Sequence, residues 1–272
     1  LVGGHSGDDI DKKRANANKL LARFLYDGMK KYGLRLADIQ AGGLHNAFPR
    51  EAEAIVAIPN KYKEQTRVDW NLFAADVQEE FYVTEPSMQL LLESTDALPT
   101  VFPEDASCRI ITALQAVDNG VYAMSQDIDL VETSSNLASI RQTEPGVVRI
   151  NSSQRSSLMS NRLNMAHTVA AAFELAGAEV EIGEGYPGWK PNPNSQLLKV
   201  SVEQYRKLFG KEPIVRGIHA GLECGLFSEK YPGLDMVSFG PTLRGVHSPD
   251  EKLEIATVDM VWRHLLAILE NV

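Results

Sequence analysis

A single histidine among turn-forming residues is the first feature with chemical potential. His247 sits in GPTLRGVHSPDE, residues 240–251, directly after an apolar run, Met236–Phe239, that reads as a buried strand ending at Gly240-Pro241. Loops at strand ends are where rigid scaffolds place reactive groups. A neutral imidazole there suits a zinc ligand, with Asp250 or Glu251 to orient it; the same residues equally suit a surface histidine with no role. His219 lies near the end of a second expected strand, 214–218, and Glu223 and Cys224 lie in the turn HAGLECG, whose glycines let backbone approach a ligand closely. That turn lacks the Lys and Ser/Thr of a phosphate loop. His5 sits among Gly3, Gly4 and Gly7, again permitting close approach. Arg155 follows a strand-like run, where a guanidinium could fork onto a carboxylate or simply be solvated. A catalytic zinc needs three or more protein ligands. The sequence offers no second cluster of His, Asp and Glu at ligand spacing, so any partners of His247 must come from elsewhere.

The elements that position these residues divide at a change of composition. Leu20, Leu21, Phe24, Leu25 and Met29 recur at helical spacing, which predicts a helix from about Lys12 to Lys31, with Asp8, Asp9 and Asp11 at its positive end and Gly33 as its cap. Strands are expected at Leu34–Gly43 and Glu51–Pro59. A helix over Tyr62–Tyr82 would bury Val68, Leu72, Ala75, Val77 and Phe81. A short strand is expected at Ser87–Glu93 and a helix at Ala106–Val117. Strands follow at Val131–Arg141 and Gly146–Ser153, then a helix over Asn161–Ala176 with Leu163, Ala166, Val169, Ala170 and Phe173 inside. This is an α+β pattern, an antiparallel sheet with helices on one face. EIGEGYPGWKPNPN, residues 181–194, is rich in Gly, Pro and Asn and marks the boundary. Beyond it a helix at Ser195–Phe209, the strands at 214–218 and 236–239, and a helix from about Thr257 to Glu270, with Val258, Val261, Leu265 and Leu269 on one face, suggest part of an α/β domain too small to close a sheet alone.

Length and charge bound the function. A chain of 272 residues with 44% hydrophobic residues can form one large domain or two ordinary ones. The net charge of -9 argues against a nucleic-acid partner, and no apolar run reaches the ~20 residues of a membrane span. Two cysteines are too few for a disulfide framework, which makes a reducing cytoplasm the expected compartment. The chain begins at Leu1 and runs straight into the glycine-histidine motif, as a piece cut inside a larger protein would.

Five segments in order, LVGGHSGDDIDKKRANANKLLARFL, HNAFPREA, GYPGWKPNPNS, GIHAGLECGLF and YPGLDMVSFGPTLRGVHSPDE, resemble the C-terminal half of the bacterial aminoacyl-histidine dipeptidases, the peptidase D family. These belong with the co-catalytic zinc dipeptidases, carboxypeptidases and acylases, in which a lid is inserted into a two-zinc catalytic domain. The resemblance implies that residues 1–182 are a lid that covers substrate and forms a homodimer, and that 183–272 are the returning part of the catalytic domain. It implies that His247 is the last zinc ligand, that His5 stabilises the oxyanion, and that Asn46 contacts substrate. It also implies that Arg155 holds the substrate carboxylate and that Glu223 lies where a polar group could meet the free amine. His219 joins the substrate-binding residues through its place at the strand-end rim. The expected activity is zinc-dependent hydrolysis of dipeptides such as Xaa-His by the intact protein, with this chain inactive alone because the other zinc ligands and the glutamate base are absent. The competing expectations are a non-catalytic lid or dimerisation module, and a zinc amidohydrolase of N-acyl amino acids. For His5 the alternative is a cap on the helix starting near Asp11.

The ligand role has a direct consequence. His247→Ala in the whole protein should remove one metal and nearly all activity; metal analysis finding full zinc occupancy in that variant would reject the role.

Overall fold

The computed structural model describes residues 1–96, 98–185, 187–190, 192, 194–217, 219, 223–244 and 251–272. They form two compact units, one of residues 1–185 with 218–220, the other of residues 186–217 and 221–272.

In the first unit, β1 (Gly4–His5) leads into a series of turns and then α1 (Ala17–Tyr32). The helix starts later than the leucine spacing predicts. Asn16 is its cap, its side chain accepting the N–H groups of Asn18 and Lys19, as short polar side chains do at helix starts. The aspartates expected at the helix start are used elsewhere: Asp9 pairs with Lys12 and Arg14. At the other end Gly33 adopts φ 67°, the left-handed cap that a residue without Cβ takes at little cost. α1 buries two faces. Ala22 and Leu25 enter the main core, while Leu20 and Phe24 pack against α2 (Lys63–Glu80). That second contact corrects the expected face of α2. Phe24 meets Trp70 edge-on at 4.7 Å and Phe73 at 5.3 Å between centroids, so Thr66, Phe73 and Val77 are buried while Val68 and Leu72 are exposed.

The sheet is antiparallel. β2 (Arg35–Gly42), β4 (Ala52–Ala57), β5 (Gly120–Met124), β6 (Val131–Glu144) and β7 (Val147–Ser156) compose it, and β3 (Ala47–Phe48) pairs instead with β1. β6 is its axis. One edge pairs with β7 along its length, the other with β5 at residues 131–135 and with β2 at 139–141. Gly146, at φ 83°, turns the β6–β7 hairpin. α1, α3 (Glu104–Ala116) and α4 (Met159–Leu175) cover one face, burying Leu36, Ile39, Leu137 and Ile140 against Leu25, Ile111, Leu114 and Met165. The Lys19 ammonium donates to the carbonyls of Leu114, Gln115 and Val117, each at 2.8 Å, which satisfies the end of α3 where the helix dipole favours a cation. Burial lowers the pKa of Lys19 to about 8.

Several expectations change here. Ser87–Glu93 is no strand: Met88 alone is buried, under Phe24 and Val77, and Leu91 is exposed. β5 was not expected, because a short edge strand with three of its five residues exposed lacks the alternation that signals a strand. On α4, Leu163 is exposed and Met165 takes the core position.

In the second unit, α5 (Gln196–Phe209) and α7 (Ala256–Leu269) pack together. Ser195 caps α5, and Asp235 accepts the Leu197 N–H. His264 of α7 is buried against Tyr205 and Phe239, with Nε2 2.8 Å from the carbonyl of Ser201. α7 therefore turns His264 and Ile268 inward, and Val258 and Leu269 are exposed. α6 (Glu223–Lys230) and the two-residue strands β8 (Leu243–Arg244) and β9 (Lys252–Leu253) complete the unit. Neither expected strand forms among the described residues 214–217 and 236–239. A strand needs a neighbouring edge to satisfy its N–H and C=O groups, and Ile214 and Val215 instead face solvent, at 90% and 56% exposure.

The packing predicts a contrast. Ile140→Ala removes a fully buried side chain between sheet and helices and should cost about 2–5 kcal/mol, whereas Leu72→Ala on exposed α2 surface should stay within ~0.5 kcal/mol. Urea midpoints that move equally would contradict this packing.

Candidate active site

The His5 turn is shaped by glycine and by an ion pair. Gly4 has φ 145°, and a Cβ there would strike the Asp9–Arg14 pair. Asp9 accepts the His5 N–H at 2.8 Å. Its burial opposes ionisation, but Lys12, the His5 amide and Arg14 outweigh that and hold the carboxyl below its ordinary range. Arg14 in turn donates to the carbonyl of Gly3 at 2.7 Å. The imidazole of His5 folds back on its own turn, with Nδ1 accepting the N–H groups of Gly7 at 3.3 Å and Asp8 at 3.1 Å. An Nδ1 that accepts leaves the neutral ring's proton on Nε2. The cap alternative for His5 is thus recast: the helix begins at Ala17 on Asn16, and His5 caps the turn at residues 5–8.

Around this turn the chain brings distant residues together. Ser6 is buried, its N–H donating to the carbonyl of Asn46 at 2.8 Å. Its Oγ accepts from Nε and Nη2 of Arg155, at 3.4 and 3.3 Å. Arg155 stands on β7 directly opposite Ser134 on β6, and the Ser134 hydroxyl lies 2.7 Å from Nε2 of His219. Gly7 allows this closeness, since a Cβ there would run into the carbonyl oxygen of His219. Burial lowers the Arg155 pKa, with Asp8 opposing. Burial, then the charge of Arg155, lowers the pKa of His219 to about 4, against a backbone hydrogen bond to Val131. His219 is therefore neutral near pH 7.

Of the residues singled out in the sequence, His5, Asn46, Arg155 and His219 meet in the first unit. Asn46 does so through its backbone. Glu223 opens α6 in the second unit and is exposed, and the Cys224 thiol beside it is pushed up by burial. His247 lies outside the described residues. Ser6, Asp9 and Ser134 were missed. Ser6 and Asp9 were legible as neighbours of His5, but Ser134 sits in an unremarkable polar run.

This chain is similar over its full length to known proteins. A solved structure titled as aminoacylhistidine dipeptidase from Vibrio alginolyticus is 40% identical with a TM-score of 0.89, the match covering all of this chain and 56% of that one. The cytosol non-specific dipeptidase of Escherichia coli (strain K12) is 38% identical over 273 residues, again 100% of this chain and 56% of the relative. The family described as Peptidase family M20/M25/M40 matches residues 19–271. The chain belongs to that peptidase family. It spans about half the length of the relatives it matches. Dipeptidases of the family are generally metal-dependent. Among the described residues no three of His, Cys, Asp and Glu come together to hold a metal, so these residues do not make a metal site by themselves. Nor, among them, is any helix long and apolar enough to cross a membrane.

His219 gives this member of the family a pH signature. Its folded pKa, about 4, lies below the ~6.5 of a free imidazole. The unfolded chain thus binds the proton first. The stability from burying the neutral ring is complete above pH ~6.5 and is lost as pH falls toward 4, on the order of 3 kcal/mol in total. His219→Gln should flatten the fall in urea midpoint across that window, and parallel slopes in the two proteins would refute it.

Proposed function

We propose that the whole protein is a cytoplasmic dipeptidase that hydrolyses free dipeptides, Xaa-His among them. We read residues 1–182 as its lid, which also forms a homodimer, and 183–272 as the return to the catalytic domain. The observation that carries this reading is the meeting of His5, Ser6, Arg155 and His219, an imidazole beside a half-buried guanidinium in a member of a peptidase family.

Each group has a task that fits its state. Arg155 forks onto the dipeptide carboxylate, and the partial desolvation that lowers its pKa strengthens that attraction. In this reading the Nε2–H of His5, whose Nδ1 accepts two backbone N–H groups, donates to the oxygen of the tetrahedral intermediate, and a donor aimed there contributes roughly 3–4 kcal/mol. His219 stays uncharged beside Arg155, so it does not compete for the carboxylate, and Asn46 supplies a further polar contact to substrate. Glu223 is assigned to the free amine. Zinc is the metal we propose, held by His247 with ligands beyond the described residues, and when bound it would supply the activated water.

The family also contains enzymes of other substrates, and a free-amine requirement separates them. Free dipeptides should be cleaved far faster than their N-acetyl forms, and equal rates would sink the dipeptidase reading. Because Nδ1 of His5 caps a turn, alanine removes two functions at once. His5→Asn keeps an acceptor near the Nδ1 position while losing Nε2–H. Both variants should lower kcat by about 10²–10³ with KM little changed, and only His5→Ala should also lower the thermal midpoint. A His5→Asn enzyme with wild-type kcat would remove the histidine from the chemistry.

A further inference from the structure

The His5 loop runs from Val2 to Ala15 with only the two residues of β1 in regular structure. It is gripped from outside by two consecutive residues distant in sequence. Glu85 is 3% exposed. Its Oε2 accepts the Val2 N–H at 2.6 Å and its Oε1 accepts the Ala15 N–H at 3.2 Å, so one carboxylate holds both ends of the loop. Thr84 Oγ1 donates to the carbonyl of Lys13 at 3.0 Å. Lys13 is the one non-glycine residue with positive φ among those described, at 55°, a conformation that persists where its surroundings impose it.

We infer that Thr84 and Glu85 form a clamp that sets the position of His5, which makes them positioning residues for the reaction; the inference rests on the oxyanion role proposed for His5. Their own place is set by α2. The N–H groups of Thr84 and Glu85 both donate to the carbonyl of Phe81, at 3.1 and 2.8 Å, where α2 ends, and Met88 just beyond is buried among Phe24, Phe73 and Val77. The clamp thus transfers the rigidity of the α1–α2 packing to a loop with little regular structure of its own. Burying a carboxylate is costly, and accepting two backbone N–H groups offsets that with charge-assisted bonds. Asp9 holds the middle of the same loop through the His5 N–H, so the imidazole is set from both sides.

The test is a double-mutant cycle on the whole enzyme with a free dipeptide. Glu85→Gln places an amide donor against one of two backbone donors. It should lower kcat about tenfold with KM changed less than about twofold. Thr84→Val, which removes one hydroxyl, should lower kcat about threefold. In a His5→Ala background both should have no further effect, because they act through that ring. The same fold-loss in both backgrounds, or no loss with His5 intact, would overturn the clamp. If His5→Ala itself leaves kcat unchanged, the proposed role of His5 fails and the clamp with it. Should Glu85→Gln not fold, Thr84→Val decides alone.

Discussion

A strand buried on both faces must satisfy every polar group it carries, and β6 is such a strand over its first ten residues. Its sequence there is polar. Thr133, Ser134, Ser135, Asn136 and Ser139 are all within a few per cent of fully buried, and each finds a partner. Thr133 bonds to Ser156, Ser134 to His219, Ser135 to Gln154, and Ser139 to Asn151. Asn136 donates to the carbonyl of Ala47 and accepts from Asn16. A missing partner would cost ~1–3 kcal/mol at each position. The need for partners therefore recruits the start of β3 at Ala47, the α1 cap and His219 to one stretch of strand. The site is assembled around β6 because β6 cannot stay buried without it.

The charges at the site follow from the same burial. Desolvation penalises every charge placed near Arg155, and the chain answers with paired and neutral groups, while the charge of Asp8 acts on the guanidinium from nearby. Asp9 is paired with Lys12 and Arg14, His219 is held neutral, and His5 spends its Nδ1 lone pair on two amides.

Helices were readable because their signals are local. Gly33 closes α1 and Ser195 opens α5 within the element's own sequence, although the start of α1 at Asn16 was placed too early. Which face a helix buries depends on what lies across from it, so the expected faces of α2 and α7 were wrong at Val68, Leu72, Val258 and Leu269. The strands of the first unit, β2, β4, β6 and β7, formed where expected; those that did not form failed for the same reason. Ile214-Val215 and Met236–Phe239 have strand composition, yet no described neighbour offers them an edge, while β5 has weak composition and is formed by the edge that β6 presents. At the site, His5 and Arg155 stood out by residue type and by resemblance. Ser6, Ser134, Thr84 and Glu85 did not, because a serine or glutamate becomes informative only when the residue it reaches is known.

Glycine explains how so dense a site fits together. In the role proposed for His5, a tetrahedral oxyanion needs a donor already in place, since a donor that must move spends its interaction on reorganisation. The His5 turn would meet that need through contacts that fix its backbone: Asp9 on the His5 amide, Asn46 on the Ser6 amide, Arg14 on the Gly3 carbonyl. Such contacts demand close approach of main chain to main chain. Gly7 against the His219 carbonyl is the tightest, and any side chain there would push His219 away from Ser134 or the turn away from Arg155. The glycines of GGHSG therefore do more than loosen the chain. They let a loop be packed as closely as a core, which a donor of fixed direction requires.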